Sequence, residues 1–472
     1  MLAHKDRWQM NTTMGANVVT GEASGHVFLF LQGPHGPFFR RLAMRLSAAG
    51  AGVRRIAFNP GDEAEWAGAG PLDRYLGSER AYPDWLAHQL TLHGVTDIIL
   101  YGDARPEHAQ AIEIAKPRGI LCHCLEEGYL RPYRVTYERW GNNGNSRLCN
   151  ISLARMVRAL DPAAAPLEEP GDGWGAYRSH LWHSARYHAR MLLPSHRYGR
   201  HRSRRGLPLW SEFGIYLRRL AGLPLRRLVQ GLRTRRLLAS GQSFHLVLLQ
   251  LSFDSSMQTH SDYCNSADFV SDCIDAFANS APATDFLVLR SHPFEDGRER
   301  LDWVIADAAE RLGVADRVLF LDGGRGLRSL LDGAGSVVTI NSTAAQQALW
   351  RGLPVLALGR AVYAKPGIVS NQSMDAFFAA PRRPVEQAYL PFRWFLSETS
   401  QLKGSFYSRS GISELLAPLT TAILAPINAY DRVLAAAPEP DLSAIPTIHA
   451  ANPHPSAPAN FRERPSPSRA VV

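Results

Sequence analysis

The amino-acid sequence predicts an α/β protein with two Rossmann-like domains that face each other across a cleft. Three observations lead to this fold class. Short apolar runs alternate with helix-like segments in both halves of the chain, polar loops follow several of these runs, and an arginine-rich segment separates the halves. Short buried strands that alternate with helices are typical of a parallel sheet covered on both faces. A chain of 472 residues is long enough for two such domains.

The first domain is predicted at residues 25–160. Its expected strands are 26–31, 53–58, 97–101 and 119–125, and its expected helices are 38–49, 84–93 and 107–116. Residues 1–24 are predicted to be flexible. They lack the basic, apolar and small-residue order of a secretory signal, so we expect a cytoplasmic protein.

The second domain is predicted at residues 241–434. Its expected strands are 244–251, 285–289, 318–321, 337–340 and 355–358, and its expected helices are 267–280, 299–312, 326–331 and 344–351. Residues 435–472 are rich in Pro, Ala and Ser and offer little to build a core. We therefore predict a disordered C-terminal tail.

The middle segment, residues 161–240, is predicted to be helical and close to a membrane. The chain carries a net charge of +9 from 52 basic and 43 acidic residues, and arginines are concentrated between Arg178 and Arg236. Such a segment suits the anionic surface of the cytoplasmic leaflet, but a solvated helical linker has the same composition. Nucleic acid is not expected as a partner, because no nucleic-acid-binding motif accompanies the arginines. No apolar run reaches the roughly 18 residues that a spanning helix needs.

The cysteines and the acidic residues give no sign of a disulfide framework or a metal site. Five cysteines with irregular spacing fit a reducing cytoplasm. The alternation in Cys122-His123-Cys124 is that of a strand rather than of a zinc site. The chain has no Asp-X-Asp pair to hold a metal-bound diphosphate, so we predict no metal and no cofactor.

Three loops of the second domain predict a binding site for a nucleotide sugar. Each follows a predicted strand, and the carboxyl ends of parallel strands meet at one edge of the sheet. Hydroxyl, imidazole and amide groups at that edge suit a phosphate and a ribose. Ser342 or Thr343 could instead cap a helix, and Pro293 could simply end a strand. The predicted donor-binding residues are Gln250, Asp254, Ser255, His292, Pro293, Asn341, Ser342 and Thr343.

The first domain offers carboxylates for catalysis. Glu126 and Glu127 end a predicted strand just before a glycine. Glycosyl transfer needs a carboxylate as nucleophile or base near the anomeric carbon. Arg131 could hold a carboxylate or phosphate of the substrate in a bidentate contact. The alternative for these residues is an exposed loop with a local salt bridge.

Further polar loops of the first domain are candidates for acceptor binding. Gln32 and His35 lie in a glycine-rich loop after the first strand, where His35 could transfer a proton or be purely structural. Asp103 and Asn145 lie in two other polar loops. We predict that Gln32, Asp103 and Asn145 contact the acceptor, together with Arg131.

The motifs resemble those of the capsule polysaccharide synthesis and export family, from about residue 27 to residue 407. Within it they look most like the members that act on the lipid terminus of Gram-negative capsules. The quoted motifs are Phe28-Leu-Phe-Leu-Gln-Gly-Pro-His-Gly-Pro-Phe-Phe39, Phe58-Asn-Pro-Gly-Asp62, Tyr101-Gly-Asp103, Glu126-Glu-Gly-Tyr-Leu-Arg-Pro132, Asn143-Gly-Asn-Ser-Arg147, Gln250 with Asp254-Ser255, His292-Pro293, Asn341-Ser-Thr343 and Leu358-Gly-Arg-Ala-Val-Tyr363.

The resemblance implies a GT-B-like, retaining β-Kdo glycosyltransferase. It implies CMP-Kdo as the donor and a lysophosphatidylglycerol-type lipid as the acceptor of the first Kdo. The donor loops named above would then bind CMP, and Glu127 would supply the catalytic carboxylate. Related members have Asp where this chain has Glu127, and Asp-Ser-Gln where it has Asp254-Ser255-Ser256. The role of Glu127 as nucleophile or base therefore stays open.

The implied location is the cytoplasmic surface of the inner membrane. A second Kdo transferase and the capsule export machinery are implied as further partners. Two other functions are compatible with the sequence. One is an export or scaffold protein that binds the lipid-linked polysaccharide without chemistry, and the other is a nucleotide-sugar epimerase of GT-B-like fold.

Overall fold

The computed structural model describes residues 23–161, 176–192, 222–251, 255–293, 297–322 and 326–435, with isolated positions at 167, 169, 198, 214 and 295. The predicted flexible N-terminus and the predicted disordered tail lie almost wholly outside these residues, as does much of the arginine-rich segment. The described residues belong to two compact units. The first contains those up to 161, those from 176 to 198 and those from 391 onward, and the second contains 167, 169 and those from 214 to 390.

The first unit contains a seven-stranded sheet in the order β12-β6-β5-β4-β1-β2-β3. Its strands are β1 (Val27–Phe30), β2 (Gly52–Ala57), β3 (Leu72–Arg74), β4 (Asp97–Tyr101), β5 (Leu121–Glu127), β6 (Arg134–Arg139) and β12 (Gln401–Lys403). The strands β1 to β5 run parallel, whereas β6 is antiparallel to both of its neighbours. In β1, Phe28 and Phe30 enter one buried cluster and Leu29 another, so both faces of the sheet are covered.

The helices of the first unit come from three separate parts of the chain. They are α1 (Phe38–Ala48), α2 (Pro60–Trp66), α3 (Tyr82–Leu92), α4 (Pro106–Ala115), α5 (Leu153–Arg158), α6 (Tyr177–Leu192), α14 (Tyr389–Thr399), α15 (Arg409–Leu424) and α16 (Ala429–Ala435). The motif 58–62 starts α2: the Asn59 side chain caps the helix by accepting from the Asp62 N–H at 3.0 Å, and Pro60 takes the first helical position.

The second unit contains a five-stranded parallel sheet in the order β11-β10-β7-β8-β9. Its strands are β7 (Phe244–Leu248), β8 (Phe286–Arg290), β9 (Val318–Leu321), β10 (Ser336–Thr339) and β11 (Val355–Ala357). Its helices are α7 (Leu223–Ala239), α8 (Ser255–His260), α9 (Ser266–Ser280), α10 (Leu301–Arg311), α11 (Leu327–Gly333), α12 (Ala345–Trp350) and α13 (Met374–Ala379).

The predicted α/β class is confirmed, since both units are built on parallel sheets with helices packed against them. One domain boundary differs from the prediction. The second domain was predicted to run to residue 434, but residues from 391 onward belong to the first unit. The reason is that β12 pairs with β6, and α15 packs in the same buried cluster as α1.

The described helices were compared with the length and composition that a membrane span requires. No single one of them is long and apolar enough to cross a bilayer. The pair α15 and α16 meets the criterion jointly, by length and composition only, with a bend of 74° between its two parts.

Candidate functional site

The carboxyl edge of the first sheet gathers most of the residues predicted for the first domain. The strands β5, β4, β1 and β2 are parallel neighbours. Gln32 follows β1, Asp103 follows β4, and Glu127 is the last residue of β5. Parallel strand ends share one edge of a sheet, which is where ligands of α/β proteins bind.

Glu127 is half-buried at this edge and is surrounded by polar groups. The Tyr101 hydroxyl donates to Glu127 Oε1 at 3.4 Å, and the hydroxyls of Tyr101 and Tyr407 lie 3.5 Å apart. Burial raises the pKa of Glu127, while the Arg131 guanidinium and the hydroxyls of Tyr407 and Tyr101 act in the opposite direction. The structure thus brings two predicted residues, Glu127 and Arg131, close together.

Glu126 has a different environment from its neighbour. Its Oε1 accepts the backbone N–H of Glu127 at 3.0 Å. A Cβ atom on Gly102 would lie 3.0 Å from Glu126 Oε2, and Gly102 has a φ of +70°, so this close approach of the β4 and β5 ends suits a glycine. Glu126 therefore helps to hold the end of β5 in place.

Tyr407 connects the Glu127 carboxylate to helix α6. The Nε2 of His183 donates to the Tyr407 carbonyl oxygen at 3.2 Å, and the His180 ring lies edge-on to the Tyr407 ring at 4.4 Å. Burial lowers the pKa of His180 to about 4 and also lowers that of His183. Both imidazoles are therefore neutral at pH 7, and α6 is docked without adding positive charge beside Glu127.

His35 and Gln32 are also held by α6. The His35 ring stacks on Tyr187 with centroids 4.1 Å apart, and His35 Nδ1 lies 3.0 Å from Ser184 Oγ. The Gln32 amide donates to the Tyr187 hydroxyl at 3.0 Å, and its carbonyl oxygen accepts from Arg105. These contacts fix the orientation of both predicted side chains.

Asp103 and Asn145 come together, but within a buried contact. The Oδ2 of Asp103 accepts the backbone N–H of Asn142 and the side-chain amide of Asn145, both at 3.0 Å. Asp103 is only 2% exposed, and burial raises its pKa. The pair ties the loop after β4 to the loop after β6, and Asp103 is too deeply buried to face an acceptor here.

The second sheet brings Gln250 and Asn341 together at its carboxyl edge. The Gln250 amide donates to Asn341 Oδ1 at 2.7 Å, and the Asn341 backbone N–H donates to Gln250 Oε1 at 2.9 Å. The two residues follow the neighbouring strands β7 and β10. This reciprocal pair fixes the two loops that the sequence assigned to donor binding.

The turn after Asn341 leads directly into α12. The Oγ of Ser342 accepts the Ala344 N–H at 3.3 Å, and the Ser342 carbonyl accepts from the Tyr363 hydroxyl at 2.7 Å. Thr343 is half-buried, and its carbonyl accepts the Gln346 N–H at 3.1 Å. Both residues shape the start of the helix, as the capping alternative anticipates, and this geometry leaves the donor-binding prediction open.

The remaining predicted donor residues follow β7 and β8. His292 is half-buried and Pro293 is exposed, just after the end of β8, which is a direct neighbour of β7. Asp254 lies outside the described residues. Ser255 is the first residue of α8, and its side chain is likewise outside the described part of the structure.

Residues of three kinds escaped the sequence analysis. Tyr187 and His183 lie in the arginine-rich segment, where nothing in the local pattern singles them out. Arg105 follows the predicted Asp103 by two positions and its guanidinium lies over the Tyr101 ring at 5.7 Å. Tyr407 is 306 residues from Tyr101 in the chain, so only the fold reveals their contact.

The alternating Cys122-His123-Cys124 segment is part of β5. Its His123 bonds to Asp97 at 2.9 Å through Nε2 and to the Tyr137 hydroxyl at 2.8 Å through Nδ1. Cys122 and Cys124 belong to a buried apolar cluster. Within the described ranges, no three His, Cys, Asp or Glu side chains are grouped closely enough to hold a metal ion.

The sequence was compared with known families and proteins. Residues 96–407 match the family described as "Capsule polysaccharide biosynthesis protein". The chain therefore belongs to this family, and the resemblance noted from the motifs is confirmed.

Two characterised relatives are similar over most of their length. The chain is 29% identical to the capsule polysaccharide export protein KpsS of Escherichia coli over 398 residues, which is 84% of this chain and 100% of the relative. It is 28% identical over 398 residues to the capsule polysaccharide modification protein LipB of Neisseria meningitidis serogroup B, covering 82% and 93% of the two chains.

Solved structures of similar fold include two glycosyltransferase-related proteins. One is the β-Kdo 2,7 transferase of Thermosulfurimonas dismutans KpsC, with a TM-score of 0.36, 12% identity, and coverage of 84% of this chain and 99% of the other. Another is Anabaena HepE in complex with UDP and glucose, with a TM-score of 0.30, 12% identity, and coverage of 87% and 98%. The fold of this chain is assigned from its own two parallel sheets.

Proposed function

We propose that this protein is a retaining glycosyltransferase that transfers Kdo from CMP-Kdo to a lysophosphatidylglycerol-type lipid during capsular polysaccharide biosynthesis. Membership of the capsule family supports the pathway. The observation that carries the catalytic part is the half-buried Glu127 carboxylate at a sheet edge, beside Arg131 and the hydroxyls of Tyr101 and Tyr407. A carboxylate held in this way can act on an anomeric carbon.

Two roles for Glu127 are consistent with retention. As a nucleophile, its oxygen forms a bond to the anomeric carbon while the carbon–phosphate-oxygen bond breaks and CMP leaves with the electron pair. The acceptor hydroxyl then attacks that carbon, the ester bond to Glu127 breaks, and a base takes the hydroxyl proton. As a base, Glu127 takes the proton of the acceptor hydroxyl directly.

The donor is assigned to the second unit. Gln250, His292 and Asn341 follow three strands of one parallel sheet, and Gln250 and Asn341 are fixed by their mutual hydrogen bonds. We propose that these loops, with Asp254, Ser255, Pro293, Ser342 and Thr343, hold CMP. The single phosphate of CMP-Kdo needs no metal-bound diphosphate site, so transfer should persist in the presence of a chelator.

The acceptor and the location follow from the same proposal. Arg131 would pair with a phosphate or carboxylate near Glu127, and Gln32 is held at the same edge. We propose that the enzyme acts at the cytoplasmic surface of the inner membrane. A second Kdo transferase would extend its product, and the export machinery would take up the finished polymer.

The proposal is tested by incubating the protein with CMP-Kdo, with and without lysophosphatidylglycerol, and measuring the mass of the products. We expect a mass gain of one Kdo only when the lipid is present. Glu127→Gln should abolish turnover while CMP binding, measured by calorimetry, is retained. Glu113→Gln is the matched control, because Glu113 is an exposed carboxylate on α4 of the same unit. Normal turnover by Glu127→Gln would remove this residue from the mechanism.

A non-catalytic export protein is the second candidate, because the Escherichia coli relative is named an export protein. Binding of the lipid-linked polysaccharide without any turnover of CMP-Kdo would support it. Conversion of the sugar nucleotide in the absence of lipid would instead indicate an epimerase.

A further inference from the structure

Helix α7 exposes an apolar stripe that its own unit does not cover. Leu225, Leu228, Val229 and Leu232 are 68%, 62%, 37% and 45% exposed. Their spacing of i, i+3, i+4 and i+7 places them along one face of the helix. Four neighbouring apolar side chains on one outward face indicate a contact surface rather than scattered exposure.

The opposite face of α7 accounts for its attachment to the second unit. Arg226 lies 3.9 Å from the Asp322 carboxylate, and Leu237 is buried. Leu238 packs so closely on α11 that a Cβ atom on Gly333 would lie 2.8 Å from its Cδ2. The helix is thus anchored by one face and presents the other outward.

The charge around the stripe indicates the chemistry of its partner. Residues 223–239 contain no acidic side chain, and Arg233, Arg235 and Arg236 are exposed. At about 100° per residue, Arg233 and Arg235 border the stripe on its two sides and Arg236 continues it. An apolar stripe bordered by guanidinium groups is the pattern of a helix that lies in the interface of an anionic bilayer.

We propose that this face of α7 docks on an anionic phospholipid surface, with the leucines and the valine among the acyl chains and the arginines at the phosphates. A second copy of α7 is a poorer occupant, because pairing would bring two uncompensated sets of arginines together. Nucleic acid would meet the arginines but would leave the apolar stripe without a partner. The proposal deepens the proposed function, which requires access to a lipid acceptor, but it can be tested without turnover.

The test is flotation of the full-length protein with vesicles of phosphatidylcholine alone and of phosphatidylcholine with an equal part of phosphatidylglycerol. We expect binding to the anionic vesicles only. The triple variant Arg233→Gln, Arg235→Gln and Arg236→Gln should weaken binding about 100-fold, since each basic residue near an anionic surface contributes about fivefold. The triple variant Leu225→Ser, Leu228→Ser and Leu232→Ser should weaken binding by at least about tenfold.

The control variant is Trp303→Ser combined with Arg311→Gln. Both residues are exposed on α10 of the same unit, so the control removes apolar surface and charge without touching α7. We expect it to bind vesicles like the wild type. Light scattering of every variant checks for the other occupant, a second copy of the chain.

Four results would overturn the docking proposal: equal binding to both kinds of vesicle, unchanged binding of the leucine variant, equal weakening by the control, or conversion of a wild-type dimer to a monomer by the leucine substitutions. Turnover of a short-chain, water-soluble acceptor is measured separately. Vesicle binding that depends on α7 without any turnover would refute the proposed function and leave the docking surface intact. Turnover with vesicle binding that is independent of α7 would do the reverse.

Discussion

Replacing Tyr187 by Phe should loosen helix α6 from the edge that carries the predicted acceptor residues. The buried Tyr187 hydroxyl donates to Asp62 Oδ1 at 3.0 Å and accepts from the amides of Asn59 and Gln32 at 2.7 and 3.0 Å. A hydrogen bond to a charged group contributes about 1.5–3 kcal/mol, and weakening the two amide contacts adds to this. The amides keep longer or equal contacts with Asp62, so we expect a total loss of about 2–4 kcal/mol.

The Phe ring preserves the stacking on His35, so the variant isolates the contribution of the hydroxyl. Hydrogen exchange of a peptide covering residues 177–192 and thermal unfolding are the measurements. Tyr263→Phe is the control, since its hydroxyl also donates to a carboxylate, Asp272 at 3.0 Å, but near the surface. We expect about 0.5 kcal/mol or less there. Exchange of α6 at the wild-type rate in Tyr187→Phe would refute the reasoning.

Three further substitutions give distinct outcomes. Tyr407→Phe removes a hydroxyl that lowers the pKa of Glu127, so the acidic limb of the pH–rate profile should move to higher pH, and an unchanged limb would contradict the assigned contact. Glu65→Gln should flatten the pH dependence of stability: burial raises the pKa of Glu65 from 4.5 to about 8, so the native state retains a proton that the unfolded state releases, and wild-type stability falls as pH rises between these values. Melting temperatures across this range test that slope, and equal slopes would be incompatible with it. Gln250→Ala should destabilise the second unit by about 1–3 kcal/mol and weaken CMP binding in calorimetry, because two hydrogen bonds to Asn341 are lost; wild-type affinity would argue against a donor role for this loop.

The strands that position the site could be predicted because each is a short apolar run followed by a polar loop. The prediction for β4 matches its observed bounds, 97–101, and β5 was predicted only two residues short of its end. The three-residue strand β12 could not be found in this way. Its residues, Gln401 to Lys403, carry no apolar pattern, and they form a strand only because β6 provides an edge 265 residues away, where Gln401 also bonds to Thr136.

The candidate site was predictable only in part for the same physical reason. Sequence shows which polar residues follow a strand, but not whether a side chain turns outward or is used to close a loop. Asp103 and Asn145 were both predicted to contact an acceptor, yet they bond to each other. The contribution of α6 was invisible, because its His183 and Tyr187 lie among arginines and acquire their role only by packing on distant loops.

The structure distinguishes among three carboxylates at the same edge of the first sheet. Asp103 is buried and is used by the loop after β6, and an oxygen of Glu126 is occupied by the backbone N–H of Glu127. Glu127 alone combines partial exposure with a nearby guanidinium and two nearby hydroxyls, which stabilise its charged form against the cost of burial. A nucleophile or base must be both charged and reachable by substrate. Among these three, that requirement selects Glu127 on physical grounds that do not depend on the family to which the chain belongs.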